Sequence, residues 1–136
     1  MIDGVPRLSC LTMAQDVAGK EITTVEGLAD GAHLAPIQQC FGEYGGSQCG
    51  FCTPGFLIAS QALLNENPNP SDSEIALAIE GNLCRCTGYQ QIIDSIQAAA
   101  AIHRGETEAA SAASDAHPDP NPSGPDEPTM PPGHAR

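Results

Sequence analysis

The sequence contains no tryptophan, two tyrosines and three phenylalanines in 136 residues, so aromatic side chains can contribute little to a hydrophobic core. A core must be built mainly from aliphatic residues, and a metal cluster would be a useful additional staple. Basic residues are also scarce, because five Lys and Arg against 17 Asp and Glu give a formal net charge of -12. Nucleic acid and anionic membrane surfaces both require clustered positive charge, so neither is expected as a partner.

Long apolar runs are missing as well. No stretch approaches the roughly 20 apolar residues of a membrane-spanning helix, and no secretory signal follows Met1. Six cysteines fall below the roughly 8 to 10% that is typical of a short disulfide scaffold. We therefore expect a cytoplasmic chain whose cysteines bind metal or carry thiol chemistry, with export alongside a partner or through a preceding signal left open.

The composition divides the chain into three parts and predicts a mainly α fold. Residues 105–136 hold seven of the twelve prolines among Asp, Ser and Ala, and are predicted to be a disordered tail. Residues 31–104 are predicted to form four helices joined by short loops, hence a small helical bundle. Residues 1–30 carry an Asp-Gly turn signal at Asp3 and a β-branched run at 22–25, which together predict two short strands.

Capping signals and apolar spacing locate the four helices. Ser71 and Thr87 each begin a capping-box pattern, Thr53 followed by Pro54 predicts another N-cap, and Gly45-Gly46 predicts the end of the first helix. The apolar residues predicted to face the core recur at helical spacing and are Leu34, Ile37, Phe41, Tyr44, Phe56, Leu57, Leu63, Leu64, Ile75, Leu77, Ile79, Ile92, Ile93, Ile96, Ala99 and Ala100.

Four of the six cysteines fall in two short motifs. Cys49-Gly50-Phe51-Cys52 precedes the second predicted helix, and Cys84-Arg85-Cys86 precedes the fourth. The free amides and positive dipole end of a helix N-terminus stabilise thiolates and a negatively charged cluster. Glycines near these motifs would let backbone amides approach the sulfurs, and they are Gly46, Gly50 and Gly88.

Four cysteine thiolates suit either an iron-sulfur cluster or a structural zinc ion. Zinc ribbons usually place two Cys-x2-Cys knuckles about 15 to 20 residues apart, whereas 31 residues separate Cys52 from Cys84 and the second motif is Cys-x-Cys. The spacing favours iron-sulfur and leaves a zinc-stapled interaction module as the alternative. Arg85 either faces this site or pairs with a surface acid, and Cys40 is predicted to be a small buried residue.

The cysteine motifs and their neighbours also carry a family resemblance. The segments QCGFCTPG, from Gln48, and GNLCRCTGY, ending at Tyr89, resemble the iron-sulfur subunit of the molybdenum hydroxylases. This is the xanthine oxidase and aerobic carbon monoxide dehydrogenase family, and the resemblance covers about residues 1–103. It implies a plant-type ferredoxin (β-grasp) domain followed by a four-helix [2Fe-2S] domain, and it favours iron-sulfur over zinc.

The resemblance implies roles for individual residues, none of them catalytic. It makes the ligands of one [2Fe-2S] cluster Cys49, Cys52, Cys84 and Cys86. Gln48, from the resemblance, and Gly50, Arg85 and Gly88, from their positions in the motifs, are the predicted cofactor-binding residues. Gln48 and Cys86 would face the pterin of a molybdenum cofactor in a large partner subunit. The chain would then be an oxidoreductase subunit that relays single electrons from this cofactor, with a FAD-binding medium subunit as a further partner.

Residues 1–30 resemble only the last part of the ferredoxin domain and a linker. Cys10 would be the fourth ligand of a second [2Fe-2S] cluster whose other three ligands this sequence lacks. That cluster would form only if a preceding segment were present, so Met1 is hypothesised to be an internal start or a truncation point. A truncated remnant without an electron-transfer role is accordingly a second alternative.

Overall fold

A computed structural model of the protein describes residues 1–106, and this part of the chain is mainly helical. Three 3-10 turns come first, at Ser9–Leu11, Ala14–Val17 and Glu26–Leu28. Four α-helices follow: α1 at Pro36–Glu43, α2 at Thr53–Glu66, α3 at Asp72–Ile79 and α4 at Gln90–His103. The prediction of four helices is confirmed. The predicted disordered tail lies outside the described residues from position 107 onward.

The core forms where the four helices meet. α1 packs chiefly on α4, and α2 packs chiefly on α3. The buried residues of this core are mainly aliphatic, as the scarcity of aromatics required, and they are Ile37, Cys40, Phe41, Phe56, Leu57, Leu64, Ile75, Ile79, Ile92, Ile96, Ala99 and Ala100. Cys40 is fully buried, which agrees with its prediction as a small core residue.

Local hydrogen bonds explain where two of the helices begin. Ser71 and Glu74 form the predicted capping box of α3, since the Ser71 amide donates to Glu74 Oε2 at 2.8 Å and the Glu74 amide donates to Ser71 Oγ at 3.4 Å. At α1, Gln38 Oε1 accepts the Ala35 amide at 2.9 Å, and Pro36 occupies the first helical position. The predicted end of α1 is confirmed, because Gly45 follows with φ +74°.

Three residues predicted to face the core are exposed instead. Leu34 precedes the start of α1 at Pro36, and Tyr44 caps its C-terminus, so neither lies on the buried stripe of the helix. Leu77 is 66% exposed because α3 has only two turns and buries Ile75 and Ile79, which lie four residues apart on one face.

The prediction of two short strands in residues 1–30 is wrong. Ile2 and Val5 exchange backbone hydrogen bonds across a two-residue turn, in which Asp3 and Gly4 both have positive φ, as the Asp-Gly signal indicated. Ile2 also forms an isolated antiparallel bridge with Ile22, and no longer ladder develops within the described residues. Two segments that share one bridge have too few hydrogen bonds to make a sheet.

The N-terminal arm, defined as residues 1–30, is joined to the helical domain near α1. Gln38 Nε2 donates to the Val25 carbonyl at 3.0 Å, and Val25 and Leu28 pack against the core. Five other large apolar residues of the arm are exposed, and they are Val5, Leu8, Leu11, Met13 and Ile22. Among residues 1–106, no helix is both long and apolar enough to cross a membrane.

Candidate metal centre

The two cysteine motifs lie in two loops that the helices bring together. The first cysteine loop, residues 45–52, connects α1 to α2, and the second cysteine loop, residues 80–89, connects α3 to α4. The loops meet beside Gly55 in the first turn of α2, where a Cβ atom would collide with the side-chain amide of Asn82. The absence of a side chain at Gly55 thus lets the Asn82 side chain lie against α2 in its present position.

The four thiols come together in two pairs across the loops. Cys52 and Cys84 lie close enough for each thiol to shift the pKa of the other and are half-buried, so we call them the inner pair. Cys49 and Cys86 interact in the same way and are exposed, so we call them the outer pair. Within residues 1–106, no three His, Cys, Asp or Glu side chains surround one point as the ligands of a single metal ion.

The two thiols of the inner pair have different pKa values because their surroundings differ. The hydroxyl of Thr87, followed by the Thr87 and Cys86 amides, lowers the pKa of Cys84 from 9.0 to about 7. Burial, followed by the interaction with Cys84, raises the pKa of Cys52 from 9.0 to about 11. Cys84 is therefore the thiol of this pair that ionises near neutral pH.

The two thiols of the outer pair also differ in pKa, one being lowered and the other raised. The amide of Phe51, followed by the Cys86 thiol, lowers the pKa of Cys49. The interaction with Cys49 raises the pKa of Cys86, because a proton held between the two sulfurs is harder to remove. Each pair thus joins one acidic thiol from one loop to a less acidic thiol from the other. A metal would displace the remaining protons, since it binds the thiolate form.

The side chains of Thr87 and Tyr89 hold Cys84 in place. Thr87 Oγ1 donates to Cys84 Sγ at 3.2 Å, and the Thr87 amide lies 3.5 Å from the same sulfur. The phenol oxygen of Tyr89 accepts the Cys84 amide at 3.0 Å and donates to the Asn82 carbonyl at 3.3 Å. The Tyr89 ring packs edge-on against Phe56, with ring centroids 6.1 Å apart, so the core supports the loop.

The predicted N-caps at Thr53 and Thr87 are both wrong. Cys52 is the N-cap of α2, so Thr53 already lies within the helix and its hydroxyl pairs with Ser47 Oγ at 2.9 Å. Tyr89, with φ +73°, is the N-cap of α4, and Thr87 turns toward Cys84 instead. The Cys84 sulfur accepts a hydrogen bond from the residue three positions later, as a capping side chain normally does. Sequence reasoning missed this because it considered only oxygen as the acceptor.

Only one of the two loops places a cysteine directly at a helix N-terminus, and burial outweighs any lowering of its pKa there. The inner-pair residue Cys52 lies directly at the N-terminus of α2. Cys86 is separated from the start of α4 at Gln90 by a turn of three residues, so α4 does not begin at the second motif. The second loop provides hydrogen bonds from Thr87 in place of a helix end.

Two of the three predicted glycines have the backbone conformation that favours glycine. Gly50 has φ +80° and Gly88 has φ +67°, so both provide the tight turns of the cysteine loops. Gly46 has a different role from the predicted approach to sulfur. Its missing side chain leaves room for the core, since a Cβ atom there would lie 2.6 Å from Ser95 Oγ and 3.1 Å from the Phe41 ring.

The remaining predicted residues lie in the cysteine loops or outside them. Gln48 is exposed beside the outer pair, and its Nε2 donates to Gln91 Oε1 at 3.1 Å. Arg85 is exposed, and none of the acidic residues in 1–106 forms an ion pair with it. Cys10 is exposed in the N-terminal arm, within the 3-10 turn Ser9–Leu11. Neither the pairs nor their hydrogen bonds include Cys10 or Cys40.

Two large apolar side chains beside the thiols were not singled out from the sequence. Phe51, between Cys49 and Cys52, is 93% exposed, and Leu83, directly before Cys84, is 85% exposed. Each cysteine loop thus presents one apolar side chain to its surroundings. A sequence signal existed, since each is the only large apolar residue within its cysteine motif or directly before it.

Comparison with known proteins agrees with this site. The sequence model of the family described as "[2Fe-2S] binding domain" matches residues 24–97, which include all four paired cysteines. The chain is 49% identical over 96 residues to the nicotine 6-hydroxylase small subunit of Paenarthrobacter nicotinovorans, covering 71% of this chain and 58% of that protein. It is 46% identical over 99 residues to the xanthine dehydrogenase iron-sulfur-binding subunit of Escherichia coli O157:H7, covering 71% of this chain and 62% of that one.

A solved structure supports the same relationship. The fold matches a chain of quinoline 2-oxidoreductase from Pseudomonas putida 86 with a TM-score of 0.72 and 49% identity, covering 79% of this chain and 68% of that one. The chain spans about three fifths of the length of these curated relatives. It belongs to the [2Fe-2S]-binding domain family, as a relative of the small iron-sulfur subunits of molybdenum hydroxylases of the xanthine dehydrogenase type.

Proposed function

We propose that this chain is the electron-transfer subunit of a molybdenum-containing hydroxylase or dehydrogenase. It would relay single electrons from a molybdenum cofactor in a partner subunit through a [2Fe-2S] cluster on Cys49, Cys52, Cys84 and Cys86. The observation that carries the proposal is the meeting of these four thiols, from two separate loops, within the segment that matches a [2Fe-2S]-binding family. The zinc-stapled alternative is not favoured, because the matching family binds iron-sulfur clusters.

The donor set fits the proposed cluster. A [2Fe-2S] cluster takes four thiolates, two on each iron, and the chain provides two pairs of neighbouring thiols. We assign the inner pair, Cys52 and Cys84, to one iron and the outer pair, Cys49 and Cys86, to the other. When bound, the cluster would supply a one-electron carrier, and the role of the chain is to hold it, orient it and leave one side accessible.

The accessible side is the proposed contact with the large molybdenum subunit. The outer pair is exposed there, and Phe51 and Leu83 offer apolar surface that a partner could cover. Gln48, Gly50, Arg85 and Gly88 belong to the same loops, which supports the proposal that they contact the partner's cofactor region. A FAD-binding medium subunit is proposed as a further partner on family grounds alone.

The N-terminal arm is the proposed end of a ferredoxin domain. Cys10 is exposed among exposed apolar residues of the arm, as expected for a ligand whose surrounding domain is supplied by another segment. We propose that Cys10 completes a second [2Fe-2S] cluster when such a segment is present. A cytoplasmic location is part of the same proposal, since all six cysteines are free thiols, which suits a reducing compartment.

Anaerobic reconstitution of the full chain with iron and sulfide tests the cluster. We expect a coloured protein with about two irons per chain and an EPR signal that appears on one-electron reduction. Cys84→Ser should lose most of this signal, whereas Cys10→Ser, which changes an exposed thiol outside the pairs, should keep it. A colourless protein that binds zinc and gives no signal in either redox state would contradict the proposal.

Co-purification tests the partner. The full chain should co-purify with a co-expressed large molybdenum-cofactor subunit from the same organism, and Phe51→Ser should weaken that association without lowering cluster content. Leu77→Ser is the matched control, because Leu77 is also an exposed apolar residue but lies on α3, away from the cysteine motifs. Absence of any association would favour the truncated-remnant alternative.

A further inference from the structure

Thr87 provides a hydrogen bond to a ligand sulfur whose direction is fixed by its neighbours. A hydroxyl has one proton to donate and two lone pairs to accept with. Thr87 Oγ1 accepts the Tyr89 amide at 3.2 Å, which uses a lone pair and leaves the proton for Cys84 Sγ at 3.2 Å. The half-buried position of Thr87 limits competition from water. The hydroxyl is therefore a positioned donor to Cys84.

The other cysteine loop lacks an equivalent donor. Thr53 follows Cys52 directly, yet its hydroxyl pairs with Ser47 Oγ at 2.9 Å and not with a sulfur. Among residues 1–106, Thr87 is the one residue whose side-chain hydroxyl is bonded to any of the four paired sulfurs. The inner pair therefore has a polar contact from Thr87 that the outer pair does not share.

We propose that the Thr87 hydroxyl tunes the redox equilibrium of the cluster by donating a hydrogen bond to Cys84 Sγ, so that the reduced form is stabilised. The inference rests on the proposed cluster ligands. An added electron increases the negative charge on the cysteine sulfurs, and a donor aimed at one of them stabilises the more negative state. Removing the proton donor while keeping the side-chain shape should therefore make the cluster harder to reduce.

Three variants of the full chain separate this role from a structural one. Thr87→Val keeps the branched shape and removes the donor, Thr87→Ser keeps the donor, and Thr53→Val removes a hydroxyl that is next to a ligand but bonded to Ser47. Each variant would be reconstituted and titrated with a reductant, and the reduced fraction would be followed by EPR.

We expect Thr87→Val to lower the equilibrium constant for one-electron reduction by about threefold to tenfold. The upper value corresponds to about 59 mV for one electron. The EPR spectrum of the reduced form should change in the same variant, because the charge on Cys84 changes. Thr87→Ser and Thr53→Val should stay within about twofold of the wild type in the reduction equilibrium.

Two results would overturn the proposal while leaving the proposed function of the wild-type chain intact. The first is a Thr87→Val protein with full iron content and an unchanged reduction equilibrium, which would make Thr87 purely structural. The second is failure of both Thr87→Val and Thr87→Ala to hold a cluster that Thr87→Ser holds, which would assign the hydroxyl to assembly and not to tuning. A wild-type chain without a [2Fe-2S] signal would instead overturn the proposed function itself.

Discussion

The two cysteine loops resemble each other in sequence and differ in structure. Each contains a motif of two cysteines followed directly by a threonine. In the first loop this threonine begins a helix, and in the second it lies three residues before one. In the first loop, Cys52 caps α2 and Thr53 belongs to the helix. In the second loop, α4 begins later and Thr87 bonds to Cys84. Similar motifs thus give their thiols opposite environments: the Thr87 hydroxyl stabilises the Cys84 thiolate, whereas burial disfavours the Cys52 thiolate even though Cys52 lies at a helix N-terminus.

The difference should be visible in thiol reactivity. At pH 7 about half of Cys84 and about one in ten thousand of Cys52 should be ionised, from pKa values of about 7 and about 11. Because a more basic thiolate is also a better nucleophile, the expected difference in alkylation rate is about a hundredfold. Pulsed alkylation of the reduced, metal-free protein, followed by peptide mass spectrometry between pH 5 and 10, would measure it.

Cys40 provides the reference within the same experiment, because burial raises the pKa of its thiol to about 11 without any contact with the pairs. Cys40 should react at least as slowly as Cys52 throughout. Equal rates for Cys84 and Cys52 would show that the two loops do not differ in the way described.

Gly46→Ala should disrupt the packing of the first cysteine loop against the core. The added Cβ atom would meet Ser95 Oγ and the Phe41 ring inside the core, so we expect a loss of about 1–3 kcal/mol in the free energy of unfolding, measured with urea. Gly42→Ala is the matched control, since its Cβ would meet nothing within 4 Å in α1 and alanine favours a helix. If the two variants have the same stability, the packing at Gly46 does not require the absence of a side chain.

Tyr89→Phe should loosen the second loop. The change leaves the Cys84 amide without its phenol acceptor and keeps the ring against Phe56. We expect a loss of about 1 kcal/mol in unfolding free energy, at the low end of the usual range because Cys84 is half-buried and water can partly replace the phenol. Tyr44→Phe, at an exposed tyrosine that ends α1, should change it by less than about 0.5 kcal/mol. Equal effects of the two changes would show that the Tyr89 hydroxyl does not stabilise the second loop.

The same pKa shifts also predict a pH dependence of stability in the metal-free protein. The lowered pKa of Cys84 means that the unfolded chain binds more protons between pH 7 and 9, so this thiol stabilises the fold above pH 9 and the gain is lost as pH falls through 7. The raised pKa of Cys52 acts in the opposite sense, with its contribution present below pH 9 and lost as pH rises through 11.

Urea unfolding between pH 6 and 11 would measure both contributions. We expect stability to rise from pH 7 to 9 and to fall from pH 9 to 11. Cys84→Ser should reduce the rise, to which the lowered pKa of Cys49 also contributes, and Cys52→Ser should reduce the fall, to which the raised pKa values of Cys40 and Cys86 also contribute. An unchanged rise in Cys84→Ser would show that Cys84 does not contribute to it.

The helical domain was the part of the fold most open to prediction from the sequence. The capping box at Ser71 depends only on residues three positions apart and was predicted, whereas the same pattern at Thr87 failed because the Thr87 hydroxyl bonds to Cys84. The existence of four helices followed from apolar spacing in the same way. The strands predicted in residues 1–30 failed because a strand is stable only with a neighbour, and one bridge to Ile22 does not provide a sheet.

The sequence by itself determined which four cysteines form the candidate site, because two short motifs and their neighbours carry the family resemblance that the matching family supports. Only the tertiary structure decided which thiols meet. Cys49 pairs with Cys86 and Cys52 with Cys84 because the helix packing and the approach at Gly55 bring the two loops together. The direction of the Thr87 hydroxyl is likewise a tertiary property, since it depends on where α4 begins.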